Sequence, residues 1–306
     1  MKQIQDSTGG FLAAASAFLI WGTSPLYWKP LASVQPLEIV CHRIVWGAPC
    51  VALVLLLTGR LGSVRDVFAS RRAVALMLLS SLLVSVNWLT YVLAVNSARV
   101  VEASMGYYIN PLVNVFLGFV FLRDRLRRPQ WLAIALAAAG VLNLVADYGQ
   151  VPWVALVLAF TFGLYGLVRK VVRVDALPGL LFELCLLGVG AASYIVWREV
   201  AGVGGLGTGD STVVALLLGA GVFTVLPLFL FTIGARRLRL ATLGLTQYIA
   251  PTGMFLLGVF AYGEPFTRTH LVTYLFIWSG VAVYAWEGVA NMRREHRRVT
   301  DRLGPV

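Results

Sequence analysis

Apolar runs of close to twenty residues recur from one end of the chain to the other, each closed by a short polar or charged segment. They fall near 11–29, 37–58, 73–95, 100–122, 130–146, 151–168, 177–197, 212–235, 240–262 and 269–290. A helix rises about 1.5 Å per residue, so each run is long enough to cross a hydrocarbon core of about 30 Å. The pattern predicts an all-α polytopic membrane protein with ten transmembrane helices and almost no mass outside the bilayer. The first run has the outline of a secretory leader. It continues without a processing site, further runs follow it, and Lys2 is the sole basic residue before it, so it reads as a span.

Sliding the chain against itself by 140 residues superposes a series of identities. Val74-Ala75-Leu76 falls on Val214-Ala215-Leu216, Arg99 on Arg239, and Tyr108-Ile109 on Tyr248-Ile249. Pro111 falls on Pro251, Leu117-Gly118 on Leu257-Gly258, and Gly140-Val141 on Gly280-Val281. One ungapped offset carries them all. The expected organisation is therefore a five-helix repeat over 11–147, a second over 150–290, and a basic tail over 291–306. Five is odd, so the second half enters the membrane from the opposite side. Two inverted five-helix repeats are a plan of many secondary transporters, with the substrate near the midplane between them.

Composition agrees with this class: 59% of the 306 residues are hydrophobic, 13% are charged, and the mean hydropathy is +0.81. Soluble chains carry about 25% charged residues. A net charge of +11 invites a nucleic-acid reading, but its placement argues against one. With the N-terminus inside, twenty of the 25 basic residues fall on cytoplasmic segments and four, Lys29, Arg99, Arg198 and Arg268, fall outside. That asymmetry supports an even number of spans with both termini cytoplasmic. The tail containing Arg293, Arg294, Arg297, Arg298 and Arg302 reads as an anchor at anionic lipid. Nucleic acid is not an expected partner. Cys41, Cys50 and Cys185 lie in apolar runs without metal or disulfide spacing, and no cofactor is expected.

Polar positions inside the runs carry the candidate chemistry. Span four places Pro111 near its centre, and helical spacing puts Tyr107, Asn110, Asn114 and Gly118 on the same face. Span nine repeats the device with Gly244, Gln247, Pro251 and Gly258, and Tyr248 beside them. Proline removes an N–H and clashes with the carbonyl four residues back, so both sites are expected to be helix breaks that free the carbonyls of Tyr107 and Gln247. Such backbone is tolerated at depth where protein or a water-filled cavity satisfies it. Helix packing through small residues, with amides as glue, is the competing explanation. Trp21 on span one, Asn87 and Tyr91 on span three and Tyr165 on span six complete the expected substrate lining, and Trp88 also lies deep.

An ionised side chain at depth has to be paired or face a cavity. His42 and Arg43 lie one to two turns into span two, and Glu183 lies at similar depth in span seven. Arg43 and Glu183 are equivalent under the 140-residue offset. The expectation is a direct pair between them, or parts in gates on opposite sides; the alternative is local capping of backbone groups. Glu102 and Glu264 stand at span ends and read as interfacial.

Several long strings resemble one family: "IWGTSPLYWK" (20–29), "EIVCHRIVWG" (38–47), "NWLTYVLAVN" (87–96), "EASMGYYINPLVNVFLG" (102–118), "YGLVRK" (165–170) and "RLRLATLGLTQYIAPTGMFLLGVFAYGE" (237–264). They resemble the EamA family of the drug/metabolite transporter (DMT) superfamily, in its RarD subgroup, from about residue 10 to 290. The resemblance implies ten helices, a central cavity lined mainly by spans 1, 3, 4, 6, 8 and 9, and export of metabolites, amino acids or drug-like solutes. Leu245 and Thr246 stand where related chains often carry aromatics, so selectivity is expected to differ if those positions line the cavity. The expected function is alternating-access transport in a bacterial cytoplasmic membrane, with a small-molecule substrate and lipid as partners. A homodimer stays open. The rivals are a non-transporting scaffold or sensor, and an intramembrane enzyme using His42 with Glu183 or a cysteine; the chain is not expected to be an enzyme.

Overall fold

The computed structural model describes residues 2–303 except 124, 150, 173, 239–241 and 244–245, and gives backbone alone for 2–7, 148, 236, 289 and 291–303. Arg173, Arg239, Gly244 and Leu245, which entered the sequence arguments, lie outside the described residues. The described residues form helices and no strands. In chain order they are α1 (Lys2–Thr23), α2 (Pro25–Trp28), α3 (Pro36–Leu57), α4 (Arg71–Asn96), α5 (Val100–Leu122) and α6 (Arg128–Tyr148). Then follow α7 (Trp153–Val171), α8 (Ala176–Val200), α9 (Ser211–Arg237), α10 (Ile249–Leu256) and α11 (Arg268–Leu303). Seven of these helices are long and apolar enough to cross a membrane, and an eighth candidate joins α1 and α2 across a 41° bend. The ninth run carries a shorter apolar helix, Ile249–Ala261, in which α10 passes into a π-helical turn over Leu257–Ala261.

Element ends follow local chemistry. Ser70 caps α4 by accepting from Ala73 N at 3.0 Å, and Asp210 caps α9 by accepting from Thr212 N at 2.8 Å. Large aliphatic side chains such as Leu57, Val189 and Leu142 point outward, 77%, 76% and 65% exposed, which suits a lipid-facing surface and not a watery one.

The prolines behave differently from expectation. α5 runs unbroken through Pro111, so the predicted break there does not occur. The helix is held on both sides: Gly106 abuts the Ala155 backbone of α7, and the Tyr108 hydroxyl meets Thr252 Oγ1 of α10 at 2.7 Å. A rung lost to proline is tolerated when neighbouring helices fix the segment. Pro251 is the third residue of α10, just after a turn. The Gln247 carbonyl expected to be free accepts from Ala250 N at 3.3 Å, because the turn brings a nearer donor than the helical one proline removes.

Contacts along the helices fix their directions. Glu38 at the start of α3 meets Arg198 near the end of α8, while Arg60, just beyond α3, meets Asp175 just before α8. The two helices are therefore antiparallel. So are α1 and α9, where Gly10 abuts Arg237 and Phe18 abuts Phe231. So are α4 and α7, where Met77 meets Arg169 and Asn87 meets Leu158. α6 and α11 run antiparallel as well: Gly140 packs on Thr273 and Ile277, and Gly280 packs on Ala133 and Leu136.

Glycine is required where backbones touch. A Cβ on Gly106 would stand 2.6 Å from the Ala155 carbonyl oxygen, and one on Gly221 would stand 2.2 Å from the Trp46 backbone. Gly188 has open space around it. Gly106→Ala and Gly221→Ala are expected to lower the melting temperature in detergent, by about 1–3 kcal/mol of overpacking. Gly188→Ala should melt like wild type. Equal melting of all three variants would refute the close-packing account.

Candidate functional site

α3 begins at Pro36, and two turns later it carries Arg43 into the interior. The residue is 8% exposed. Its guanidinium carbon lies 4.7 Å from the Trp28 ring centre and 4.4 Å from that of Trp88. Nε donates to Thr224 Oγ1 of α9 at 3.2 Å, and that hydroxyl donates in turn to the Ala220 carbonyl at 2.8 Å. Among the described residues Arg43 makes no ion pair, and its Nη1 has no hydrogen-bond partner. Tyr107, Tyr91 and Tyr27 are its electrostatic neighbours. Tyr91 shares a hydrogen bond with Ser24 at 2.6 Å. Tyr27 donates to the Leu216 carbonyl at 2.6 Å and stacks on Phe223, with ring centres 4.0 Å apart.

His42 points elsewhere. Its Nδ1 accepts from Trp46 Nε1 at 3.0 Å, which leaves the ring proton on Nε2, a buried atom without a partner.

Glu183 sits seven residues into α8, as Arg43 sits seven residues into α3. Ser80 of α4 donates to its Oε1 at 2.5 Å, Arg169 of α7 approaches the same oxygen at 3.6 Å, and Tyr165 donates to Oε2 at 3.4 Å. The expected pair between Arg43 and Glu183 does not form. Because α3 and α8 are antiparallel, equal depths from their starts lie toward opposite ends, about 10 Å apart along the axis. Nor does His42 meet Glu183, so the arrangement required of that intramembrane enzyme is not assembled.

A run of rings joins the two charged clusters. Tyr91 meets Tyr107 with centres 6.0 Å apart, Tyr107 meets Phe162 at 6.4 Å, and Phe162 meets Tyr165 at 6.1 Å. The first two pairs are edge-on, a geometry favourable for aromatic pairs, and the third is tilted. Three of the expected lining residues, Tyr91, Tyr107 and Tyr165, thus lie on one path between Arg43 and Glu183.

The remaining expected residues are dispersed. Asn87 is buried and donates to the Leu158 carbonyl at 3.1 Å and to Thr161 at 3.0 Å, tying α4 to α7. Asn110 is buried with Oδ1 unpartnered, while Asn114 is exposed, its Oδ1 close to Gly163. Trp21 packs on Phe18 and Phe231, away from the ring run. Gln247 is half-buried in the turn before α10. Tyr248 stacks on Tyr108 at 6.2 Å, in an aromatic core with Tyr274 and Trp278. Glu264, at the end of its run, is buried within the protein, and its carboxylate accepts from Val100 N and Val101 N, each at 2.8 Å, capping α5.

Sequence reasoning missed Trp28, Thr224, Ser80, Arg169 and Phe162. Trp28 stands beside Lys29 at the end of a span, where it resembles an interface anchor. Ser80 and Thr224 were discoverable as isolated hydroxyls in apolar runs.

Long apolar helices and the match to known transporters make this a multi-pass membrane transporter of the drug/metabolite type. The chain belongs to the EamA-like transporter family, which matches residues 8–146, and to its RarD subgroup. It is 44% identical to an uncharacterized transporter of Vibrio cholerae over 93% of this chain and 94% of that one. It is 41% identical to protein RarD of Salmonella typhi over 94% and 97%. A solved crystal structure, 19% identical, shares the fold with a TM-score of 0.58 over 90% of this chain and 97% of its own.

Glu183 is 1% exposed and anchors Ser80 and Arg169 together. Glu183→Ala is expected to cost about 3 kcal/mol, since it strands a largely buried cation and a hydroxyl. Glu183→Gln keeps an acceptor for Ser80 and should melt between Ala and wild type. If both variants melt at the wild-type temperature, the cluster contributes nothing to stability.

Proposed function

We propose that this protein is a secondary transporter that exports small metabolites, amino acids or drug-like solutes by alternating access. Its working unit is ten membrane spans in two inverted halves, 11–147 and 150–290, with both termini in the cytoplasm.

Reciprocal packing across the halves carries this reading. Gly140 and Gly280 stand 140 positions apart in the sequence. Gly140 meets Thr273 and Ile277, while Gly280 meets Ala133, the offset partner of Thr273. Tyr108 stacks on Tyr248, its own offset partner. Each contact and its mirror suit a two-fold axis between the halves. Helices exchanged by that axis, α3 with α8 and α6 with α11, are antiparallel, so the axis lies across them and in the membrane plane. Such an axis supports rocking of one half against the other around a central site. Arg43 and Glu183 occupy equivalent positions in the two halves and lie toward opposite membrane faces, which suits parts in the two gates. The ring run between them is the route a partly apolar solute would follow.

Purified protein in liposomes, offered a panel of amino acids, organic acids and antibiotics, should move at least one compound without altering it. Tyr107→Ala, which opens a gap in the ring run, should slow that flux at least about tenfold, or about 1.4 kcal/mol in barrier. Orientation is read in cells: a membrane-impermeant maleimide should reach Thr208→Cys from outside and Gly62→Cys only after permeabilisation. No flux for any compound overturns the transport reading, and the reverse labelling overturns the orientation.

A further inference from the structure

Among the described residues, buried charges are answered, with one exception. Glu38 faces Arg198 at 3.0 Å, Glu183 faces Arg169, Glu287 faces Arg127 at 2.7 Å, and Glu264 accepts two backbone N–H groups. Arg43 has no carboxylate among the described residues, although it too is buried. Its charge is eased by the faces of Trp28 and Trp88, and one N–H of its fork is spent on Thr224. Nη1 remains buried with its hydrogen-bonding capacity unused. An unanswered cation in a low-dielectric interior is costly, and a site that keeps one gains strongly when an anion arrives.

We propose that Arg43 is the anion-recognition residue of the transport site, and that the solute it receives is a monocarboxylate with an apolar body. This rests on the transport reading and names its substrate class. The guanidinium fork matches the two oxygens of a carboxylate, and a single positive charge is neutralised by a single negative one. A phosphate dianion would leave net charge buried here, because no second cation pairs with Arg43. The surroundings define the rest of the solute. Trp28 and Trp88 flank the charge, and the rings of Tyr91, Tyr107 and Phe162 lead away from it, offering apolar faces and no carboxylate or ammonium partner. Lys29, the nearest cation along the chain, is committed to the Val95 carbonyl at 3.2 Å and to the face of Tyr262.

The test is binding by the full-length protein in detergent, read by thermal shift and by tryptophan fluorescence, since two indoles flank the site. The probes are phenylacetate and hexanoate, with 2-phenylethanol as the neutral match, phenethylamine as the cationic match and inorganic phosphate as the other oxyanion. Both carboxylates are expected to raise the melting temperature and to change the fluorescence, saturating at the same concentration. The alcohol, the amine and phosphate should do neither. Arg43→Lys keeps the charge and, read as a shift from its own unliganded melting temperature, should bind the carboxylates at least about tenfold more weakly, because the planar fork and its stacking are lost. Arg43→Gln should not bind them. The proposal is overturned if neither carboxylate binds, if the alcohol or phosphate binds as well as phenylacetate, or if Arg43→Lys binds as tightly as wild type. Flux separates this from the transport reading. Arg43-dependent binding without transport of any compound sinks the transporter and leaves the site. Wild-type flux of phenylacetate in Arg43→Gln sinks the site and leaves the transporter.

Discussion

A full positive charge held away from water, with no counter-charge among the described residues, is the constraint around which the rest of the interior is arranged. Arg43 is accommodated by residues from three separate segments: Trp28 of α2, Trp88 of α4 and Thr224 of α9. Each supplies partial compensation through a ring face or a hydroxyl dipole, and none supplies a formal charge. Those segments come from both halves of the chain, so the halves are coupled through this one side chain. A change in the charge state of the site therefore acts on the packing between halves, which is what a transport cycle needs.

Glu183 occupies the equivalent place in the second half and has been treated in the opposite way. Its carboxylate is saturated by Ser80, Tyr165 and Arg169. Two positions matched by the 140-residue offset thus differ, one in a satisfied structural cluster and the other an unsatisfied cation. The aromatic run Tyr91, Tyr107, Phe162, Tyr165 connects them. Aromatic walls suit a path that must bind weakly along its length, since ring faces hold many apolar shapes without a directional requirement.

Much of the fold was legible in the sequence because the bilayer imposes a simple rule. A segment that spans it must be apolar, long and helical, so run length alone located nearly every helix. The offset identities at Gly140 and Gly280 and at Tyr108 and Tyr248 became reciprocal contacts. The failures share a cause. Pro111 was judged from its own helix, but neighbours decide whether a lost rung breaks a helix. Arg43 and Glu183 were matched by repeat position, and equal depth in antiparallel helices means opposite ends. Asn87, Trp21 and Tyr248 carry polar or aromatic character at depth, and each makes packing contacts apart from the ring run. Which polar side chain meets a path and which meets a carbonyl depends on helix rotation, and single-sequence periodicity does not fix rotation.

The central claim is that the two ends of this helix assembly open in alternation around the site. Distances between spin labels in lipid nanodiscs test it most directly, one pair at Ser97→Cys and Thr208→Cys on the expected outer end, the other at Arg72→Cys and Arg237→Cys on the inner end. On addition of phenylacetate, the account predicts opposite shifts, one pair moving closer as the other separates. Two distances that lengthen or shorten together, or that do not respond, would contradict it.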